Sequence, residues 1–336
     1  MPSAKTVAKT VVKAGFIGVA AVMGLAAVIY ECALNTRLNP FFVRLFDDRE
    51  DPVPVDAPAP AEPTRTAAPA DETPAPAEPD WFTAHKGDDR VITAAATGRI
   101  HAYIIPAEEP SHKWALLCHG YNSEPASVGV FAEHYHAQGY NCICPSLRGW
   151  GNDEKHYCTM AYRDKDILLA WIDYVVALDP AAEILLHGYS MGAATVMLAT
   201  GEHLPENVKA AVADCGFTSC WEQYANVVKL YAKLPAFPLV HAMNAVSILR
   251  GNHDIRKNVP IDAVARSVTP TAFLHGTADN FVPFPMMDRL YEACAAPKVK
   301  QPIEGADHAQ SIYTNPALYW KTVDAFLKDK IPSASK

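Results

Sequence analysis

The sequence lacks any surplus of basic residues. Of its 336 residues, 29 are Lys or Arg and 37 are Asp or Glu, which gives a net charge of −8. Residues 47–80 alone contain ten acidic and two basic residues, so this segment carries the whole excess and the remainder is neutral. A protein that follows a phosphate backbone needs a basic stripe. We therefore expect no binding to nucleic acid.

The sequence also lacks the cysteine spacing of a metal site. Its eight cysteines include no Cys-x-x-Cys pair, so we predict no bound metal. Half of them fall in or beside apolar runs, where Cys behaves as a small apolar side chain: Cys118, Cys142, Cys144 and Cys215. Buried free thiols are predicted, and Cys215 with Cys220 is the one pair left open for a disulfide. Three histidines that could imitate metal ligands lack further partners and are interpreted as solvated surface: His134, His136 and His253.

The first thirty residues have the composition of a membrane-targeting segment. Lys5, Lys9 and Lys13 precede residues 14–30, which contain no charged side chain. At about 1.5 Å per residue, this stretch and the two valines before Lys13 cover roughly 30 Å, the thickness of a bilayer core. The charge asymmetry predicts residues 1–13 in the cytoplasm and the rest outside the membrane. An uncleaved transmembrane anchor over residues 14–30 is favoured, and a cleaved signal peptide, which would release a secreted protein, is the alternative.

Two further segments separate this predicted span from the folded part. Residues 31–46 are amphipathic enough to lie on the membrane surface or to dock on the domain. Residues 47–80 are rich in Pro, Ala and acidic residues and include nine prolines. Such a composition cannot bury a core, so we expect a disordered, extended linker. The folded domain is expected over residues 81–330.

One stretch in the middle of the chain has the pattern of a nucleophile on a sharp turn. An apolar run from Ile184 to Leu186 predicts a buried strand, and residues 193–198 predict a helix. Between them lies Gly188-Tyr-Ser-Met-Gly192, and Gly-x-Ser-x-Gly between a strand and a helix is the context of a nucleophile elbow. The tight turn would expose the Ser190 hydroxyl at the edge of a sheet, where the N-terminus of the helix stabilises negative charge.

Apolar runs and helical stretches alternate through the rest of the domain. Helices are predicted near residues 126–138, 161–178, 284–296 and 315–329, and strands within 90–96, 99–105, 114–118, 140–144, 208–213, 271–275 and 298–303. This alternation predicts the α/β class, with a mostly parallel central sheet and helices on both faces. Residues 217–262 interrupt it with apolar helical sequence that contains prolines. We predict that this segment forms a small helical cap over the site.

Two further residues complete the pattern of a serine nucleophile. The serine needs a base, the base needs an acid that orients it, and in an elbow protein they follow in the order Ser, acid, His. Asp279 follows an apolar strand and His308 follows the last strand. We predict Ser190 as nucleophile, His308 as general base and then acid, and Asp279 as its orienting acid. Asp214, at the end of another strand, is the rival acid, and Asp307 is interpreted as structural.

Acyl transfer also needs N–H donors for the oxygen that becomes negative. The backbone N–H of Met191, at the start of the helix, is one predicted donor, and that of Tyr121, in the loop after the third strand, is the other. Several aromatic residues indicate an apolar acyl pocket, although ordinary core packing explains them almost as well: Trp150, Phe217, Trp221 and Phe281.

The loops at the strand ends together resemble those of the α/β-hydrolase superfamily, and in particular its membrane-anchored bacterial branch of uncharacterised hydrolases. The matching segments are His119-Gly-Tyr, Pro145-Ser-Leu-Arg-Gly-Trp-Gly, Gly188-Tyr-Ser-Met-Gly-Ala-Ala, Asp214-Cys-Gly-Phe-Thr-Ser, His275-Gly-Thr-Ala-Asp-Asn-Phe-Val-Pro and Gly305-Ala-Asp-His. Two residues depart from the pattern, because Ser146 stands where relatives commonly have Asp and Trp150 where they commonly have His. Neither belongs to the triad, so they bear on loop packing and substrate choice.

The resemblance implies the α/β-hydrolase fold and hydrolysis of an ester or related acyl bond through an acyl-enzyme on Ser190, without a cofactor. The substrate would be a small-molecule ester, a lipid or a peptide. The resemblance extends to serine peptidases of the prolyl-oligopeptidase type, which share the order of the triad, so peptidase or amidase activity stays open. A catalytically silent hydrolase-like module that binds a partner is the remaining alternative, and an intact Ser-Asp-His set disfavours it.

Overall fold

Runs of apolar and alternating residues form eight strands of one sheet in the computed structural model, which describes residues 21–31, 34–35, 80–155 and 157–331. The strands are β1 (Asp89–Ala94), β2 (Gly98–Ile105), β3 (Lys113–Cys118), β4 (Asn141–Pro145), β5 (Glu183–Tyr189), β6 (Val208–Asp214), β7 (Thr271–Gly276) and β8 (Lys298–Ile303). The helices after residue 80 are α1 (Trp81–His85), α2 (Gly129–Ala137), α3 (Asp164–Leu178), α4 (Met191–Thr200), α5 (Cys220–Val227), α6 (Ala236–Gly251), α7 (Pro260–Arg266), α8 (Pro285–Ala293), α9 (Ser311–Thr314) and α10 (Pro316–Leu327).

The strands lie in the order β1-β2-β4-β3-β5-β6-β7-β8. β1 and β2 form an antiparallel hairpin, β2 pairs antiparallel with β4, and every other neighbouring pair is parallel. The mostly parallel sheet predicted from the alternation is therefore confirmed. In such a sheet the carboxyl ends of the parallel strands meet at one edge, and ligands bind there.

Alternating side chains of β5 belong to apolar cores on the two faces of the sheet. In β5, Ile184 and Leu186 belong to one core and Leu185 to the other. Successive side chains of a strand point to opposite faces, so each face of the sheet has its own core. Trp171 of α3 contributes to the first core and Tyr319 of α10 to the second. The helices thus cover both faces, as the buried strands require.

The chain between β6 and β7 is helical where the cap is predicted. The side chain of Ser219 caps α5 by accepting a hydrogen bond from the backbone N–H of Glu222. A π-helical turn (Val228–Ala232) follows and ends at Lys233, which has the left-handed conformation. A second helix, α6, ends at Asn252, which is also left-handed. A short 3₁₀ turn (Ile255–Lys257) then leads into α7.

Residues 21–31 form a helical segment that packs on this domain. Ala26 and Tyr30 are buried in the first core, and the rings of Tyr30 and Tyr157 lie 5.8 Å apart. The carboxylate of Glu31 accepts hydrogen bonds from Tyr157 and from Arg250 at the end of α6. One face of this segment is therefore covered by protein, whereas Leu25 and Val28 lie on exposed positions.

Most of the chain before the domain lies outside the described residues. This applies to the predicted cytoplasmic N-terminus, to residues 14–20 of the predicted anchor and to nearly all of residues 31–79. Within the described ranges, no helix combines the length and the apolar character that a membrane crossing requires. The anchor and the disordered linker stay predictions.

Tyr30 tests whether the segment 21–31 is docked in the full-length protein. Tyr30 is 1% exposed, so its side chain is fully buried against the domain. Tyr30→Ala should lower the free energy of unfolding by about 3 kcal/mol, the usual cost of deleting a buried aromatic side chain. Urea unfolding of the full chain, followed by tryptophan fluorescence, measures it.

Leu25→Ala is the matched control, because Leu25 lies on the same segment and is 46% exposed. This substitution should change the free energy of unfolding by less than about 0.5 kcal/mol. Equal effects of the two substitutions would contradict the docked arrangement.

Candidate active site

Ser190 lies in the turn between β5 and α4 with φ 55° and ψ −119°. A residue other than glycine keeps such a conformation only where the surrounding structure imposes it. Two glycines allow the approach of strand and helix that does so. A Cβ at Gly188 would collide with the backbone of Gly192, and a Cβ at Gly192 would collide with the carbonyl of Cys118. The Gly-x-Ser-x-Gly spacing is thus a requirement of close packing.

The structure brings the three predicted triad residues into one hydrogen-bonded chain. The Oγ of Ser190 is 2.9 Å from Nε2 of His308, and Nδ1 of His308 is 2.7 Å from Oδ2 of Asp279. A carboxylate oxygen can only accept, so Nδ1 carries the hydrogen. The Nε2 atom then accepts the hydrogen bond from the serine hydroxyl. This tautomer leaves the imidazole ready to take the serine proton.

The surroundings of Asp279 keep its carboxyl ionised. Burial alone would raise the pKa of Asp279, but hydrogen bonds from His275 and His308 outweigh it and hold this pKa below its ordinary value. The backbone N–H of Val282 donates to Oδ1 at 2.8 Å, so both carboxylate oxygens are engaged. An ionised, fixed carboxylate is what stabilises the imidazolium that forms during acyl transfer.

His275 is a neighbour of the triad to which the sequence analysis gave no role. It is buried in β7, and its Nε2 lies 3.0 Å from Oδ2 of Asp279 and 2.9 Å from the carbonyl oxygen of Val282. Both partners are acceptors, so Nε2 carries a hydrogen and the ring helps to orient the carboxylate. Its place four residues before Asp279, at the same strand end, was the signal available in the sequence.

The rival acid Asp214 is close to the triad but has different partners. Its carboxylate accepts a hydrogen bond from Oγ of Ser311 at 3.1 Å and is hydrogen-bonded to Tyr319, whereas the imidazole of His308 faces Asp279. Ser311 stands three residues after His308. Asp214 therefore holds the histidine loop in place from inside the protein.

Asp307 has the structural role predicted for it. Its Oδ1 accepts a hydrogen bond from the backbone N–H of His308 at 2.7 Å. The side chain is exposed and caps the turn that presents the imidazole.

The two predicted oxyanion donors lie on neighbouring strand ends. Met191 is the first residue of α4, and Tyr121 follows β3, which pairs with β5. His119 organises the Tyr121 loop, because its Nδ1 donates to the carbonyl of Gly120 at 2.8 Å and its Nε2 accepts from the N–H of Leu147 at 3.2 Å. Burial lowers the pKa of His119 to about 4, so the ring is neutral at pH 7.

The four predicted pocket aromatics divide into two pairs. Phe281 lies against the triad histidine, with ring centroids 4.8 Å apart, and Trp150 lies edge-on to Tyr121 at 5.7 Å. Phe217 is fully buried in the first core, and Trp221 packs against that core from the cap. Phe281 and Trp150 thus border the site, and Phe217 has the core role that the sequence left open.

The cysteines follow the prediction of buried thiols. All seven within the described residues are free and buried, and they include Cys215 and Cys220. One set of metal-ligand types forms among those residues, because the ligand atoms of Cys215, Asp279 and His308 lie within 4.8 Å of one another. Two ligands of one zinc ion stand about 3.3 Å apart, whereas Asp279 and His308 are 2.7 Å apart. That spacing suits a hydrogen bond between them.

One expectation about the histidines is wrong. His253 is buried, its ring stacks on Tyr162 at 4.7 Å, and burial lowers the pKa of His253 to about 4. The left-handed turn at Asn252 folds the chain back, so that Oγ of Ser247 donates to the carbonyl of His253 at 2.7 Å. A turn after a helix therefore points this ring inward.

Comparison with known proteins identifies the fold. The family model described as the α/β-hydrolase fold matches residues 114–248. The uncharacterised protein YqkD of Bacillus subtilis is 28% identical over 243 residues, which are 70% of this chain and 78% of that protein.

Two solved structures share the architecture. The esterase Pf2001 of Pyrococcus furiosus matches with a TM-score of 0.61 and 20% identity, over 80% of this chain and 100% of its own. An acylaminoacyl peptidase of Pyrococcus horikoshii matches with a TM-score of 0.55 and 16% identity, over 75% of this chain and 42% of its own. The chain therefore has the α/β-hydrolase fold.

Asp214 generates a prediction about stability and pH. Burial raises the pKa of Asp214 from 3.8 to about 6. The folded protein thus favours the neutral carboxyl, and this contribution is complete below the ordinary pKa and is lost as the pH rises through 6. Asp214→Asn keeps a neutral acceptor for Ser311. Between pH 4 and pH 7 the variant should gain about 2–3 kcal/mol of unfolding free energy relative to wild type.

Urea unfolding at a series of pH values measures this difference. Asp307→Asn, which replaces an exposed carboxyl in the same region, is the control. A difference between Asp214→Asn and wild type that does not change with pH would contradict the prediction, because it would mean that folding does not shift the pKa of Asp214.

Proposed function

We propose that the site performs serine-based hydrolysis of carboxylic esters or related acyl bonds. The observation that carries this proposal is the chain of hydrogen bonds from Ser190 through His308 to Asp279, with lengths of 2.9 and 2.7 Å. It joins a nucleophile, a base and an orienting acid, which is the set that acyl transfer through a covalent intermediate requires.

In the proposed reaction Ser190 attacks the carbonyl carbon of the ester while Nε2 of His308 takes the hydroxyl proton. The carbonyl oxygen becomes negative and is stabilised by the backbone N–H groups of Met191 and Tyr121. The imidazolium, held by ionised Asp279, gives its proton to the leaving alcohol, and an acyl-enzyme remains. Water then enters with His308 again as base, and the carboxylic acid leaves.

The comparisons support an ester substrate over a peptide. The match to the esterase from Pyrococcus furiosus extends over that whole chain, whereas 42% of the acylaminoacyl peptidase chain is matched. The match to the peptidase thus covers less than half of that chain. A peptidase or amidase of the prolyl-oligopeptidase type is the second candidate. A silent binding module is disfavoured because the triad geometry is intact.

Membrane attachment is a separate proposal and depends on the sequence. The uncharged residues 14–30 behind three lysines support an anchor that leaves the N-terminus in the cytoplasm and the hydrolase domain outside. Ala26 and Tyr30, near the end of this proposed anchor, are buried against the domain. Fewer residues of the anchor are then available to cross a bilayer. Extraction of membranes with alkaline carbonate tests the proposal, because an anchored protein stays with the lipid and a docked one is released.

Ser190→Ala tests the assignment of the nucleophile. Loss of the attacking oxygen should lower kcat by about 10⁴-fold or more. A fluorophosphonate probe should label the wild type and fail to label the variant. Ser111→Ala is the matched control, because Ser111 lies just before β3, at the edge of the sheet opposite to Ser190. This variant should react as the wild type does. Labelling that survives in Ser190→Ala would place the nucleophile elsewhere.

A substrate series separates the two candidate activities. p-Nitrophenyl esters of increasing acyl length are compared with aminoacyl amides on the same preparation. We expect kcat/KM for the best ester to exceed that for the best amide by about 10²-fold or more, because p-nitrophenolate leaves more readily than an amine. Hydrolysis of amides alone would overturn the esterase proposal in favour of a peptidase.

A further inference from the structure

The cap carries an exposed apolar lip, defined as residues 229–241. Tyr231 and Phe237 are 67% and 69% exposed, and Leu234 is 42% exposed. The π-helical turn ends at Ala232 and α6 begins at Ala236. Residues 231–235, at and after the end of the turn, are all exposed. The lip therefore presents large apolar side chains to solvent.

The lip is positively charged in an acidic protein. Residues 223–253 contain no Asp or Glu, although the whole chain has a net charge of −8. Lys229 and Lys233 are both exposed, and neither forms an ion pair within the described part of the chain. Two unneutralised ammonium groups thus flank the exposed rings.

The lip adjoins the active site. An open groove of about 580 Å³ separates it from Pro283 and Met286, which follow the acid loop. The ring of Tyr231 lies 6.4 Å from that of Phe281, and Phe281 lies against His308. Whatever covers the lip is therefore held beside the triad.

We propose that the lip docks on the surface of an anionic lipid bilayer. Lys229 and Lys233 would meet the anionic headgroups, and the rings of Tyr231 and Phe237 with Leu234 would enter the interfacial layer. Aromatic and basic side chains on one exposed element are the combination that such a surface favours. The charge argues for an anionic surface, because Lys229 and Lys233 lie in a stretch of 31 residues, 223–253, that contains no acidic side chain. This inference does not depend on the proposed reaction.

Hydrogen exchange of the full chain tests the proposal without relying on activity. Exchange is compared without vesicles, with phosphatidylcholine vesicles, and with vesicles that contain an equal part of phosphatidylglycerol. Peptides that cover residues 228–241 should exchange at least about fivefold more slowly with the anionic vesicles and should be unchanged by phosphatidylcholine alone. An N-terminal anchor would insert into both kinds of vesicle, so it cannot produce this difference.

Charge reversal supplies the matched variants. Lys229→Glu with Lys233→Glu should abolish the protection. Lys321→Glu with Lys328→Glu, at exposed positions of α10 and just after it, changes the net charge equally and should preserve it. The proposal is overturned if phosphatidylcholine protects the lip equally, if anionic vesicles give no protection, or if both double variants lose it alike. Protection already present without vesicles would mean that another occupant covers the lip, which also overturns it.

Discussion

The close packing of β5 against α4 is the constraint on which the rest of the site depends. Gly188 and Gly192 leave no room for a Cβ between strand, helix and the neighbouring strand β3. This packing imposes the positive φ of Ser190 and directs its hydroxyl to the edge of the sheet. The same turn starts a helix whose free N–H groups point at that edge, so nucleophile and oxyanion donor come from one local structure.

The other catalytic groups reach this point because parallel strands end on the same side. β7 and β8 deliver Asp279 and His308 from loops that are far from Ser190 along the chain. Buried polar groups then hold these loops, since His275 orients the acid and Asp214 ties down the segment after the histidine. The triad is therefore held in position by two buried residues, His275 and Asp214, that would not touch a substrate.

The parts of this arrangement that sequence could predict are those with a local physical cause. The elbow was predictable because close packing of strand and helix requires glycines at positions 188 and 192. The alternation of strands and helices was predictable because both faces of a parallel sheet must be buried under helices. The choice between Asp214 and Asp279 rests on loop geometry, because β6 and β7 are neighbours, Asp214 ends β6 and Asp279 lies in the loop just after β7. The roles of His275 and His119 depend on contacts with other loops, and the burial of His253 depends on a turn that propensities do not specify. Tyr30, the last residue of the predicted anchor, packs on the domain. The sequence could not decide this, because an apolar segment suits a bilayer and a protein core alike.

The central claim is that Ser190 becomes acylated with His308 as its base, and the mass of a trapped intermediate tests it most directly. With an activated ester the second step is the slow one, so acid quenching during turnover should catch the covalent species. We predict one acyl group on the peptide that contains Ser190 in the wild type, and none at the same time point in His308→Ala. Turnover of the ester with no adduct, or with the adduct on another residue, would contradict the account.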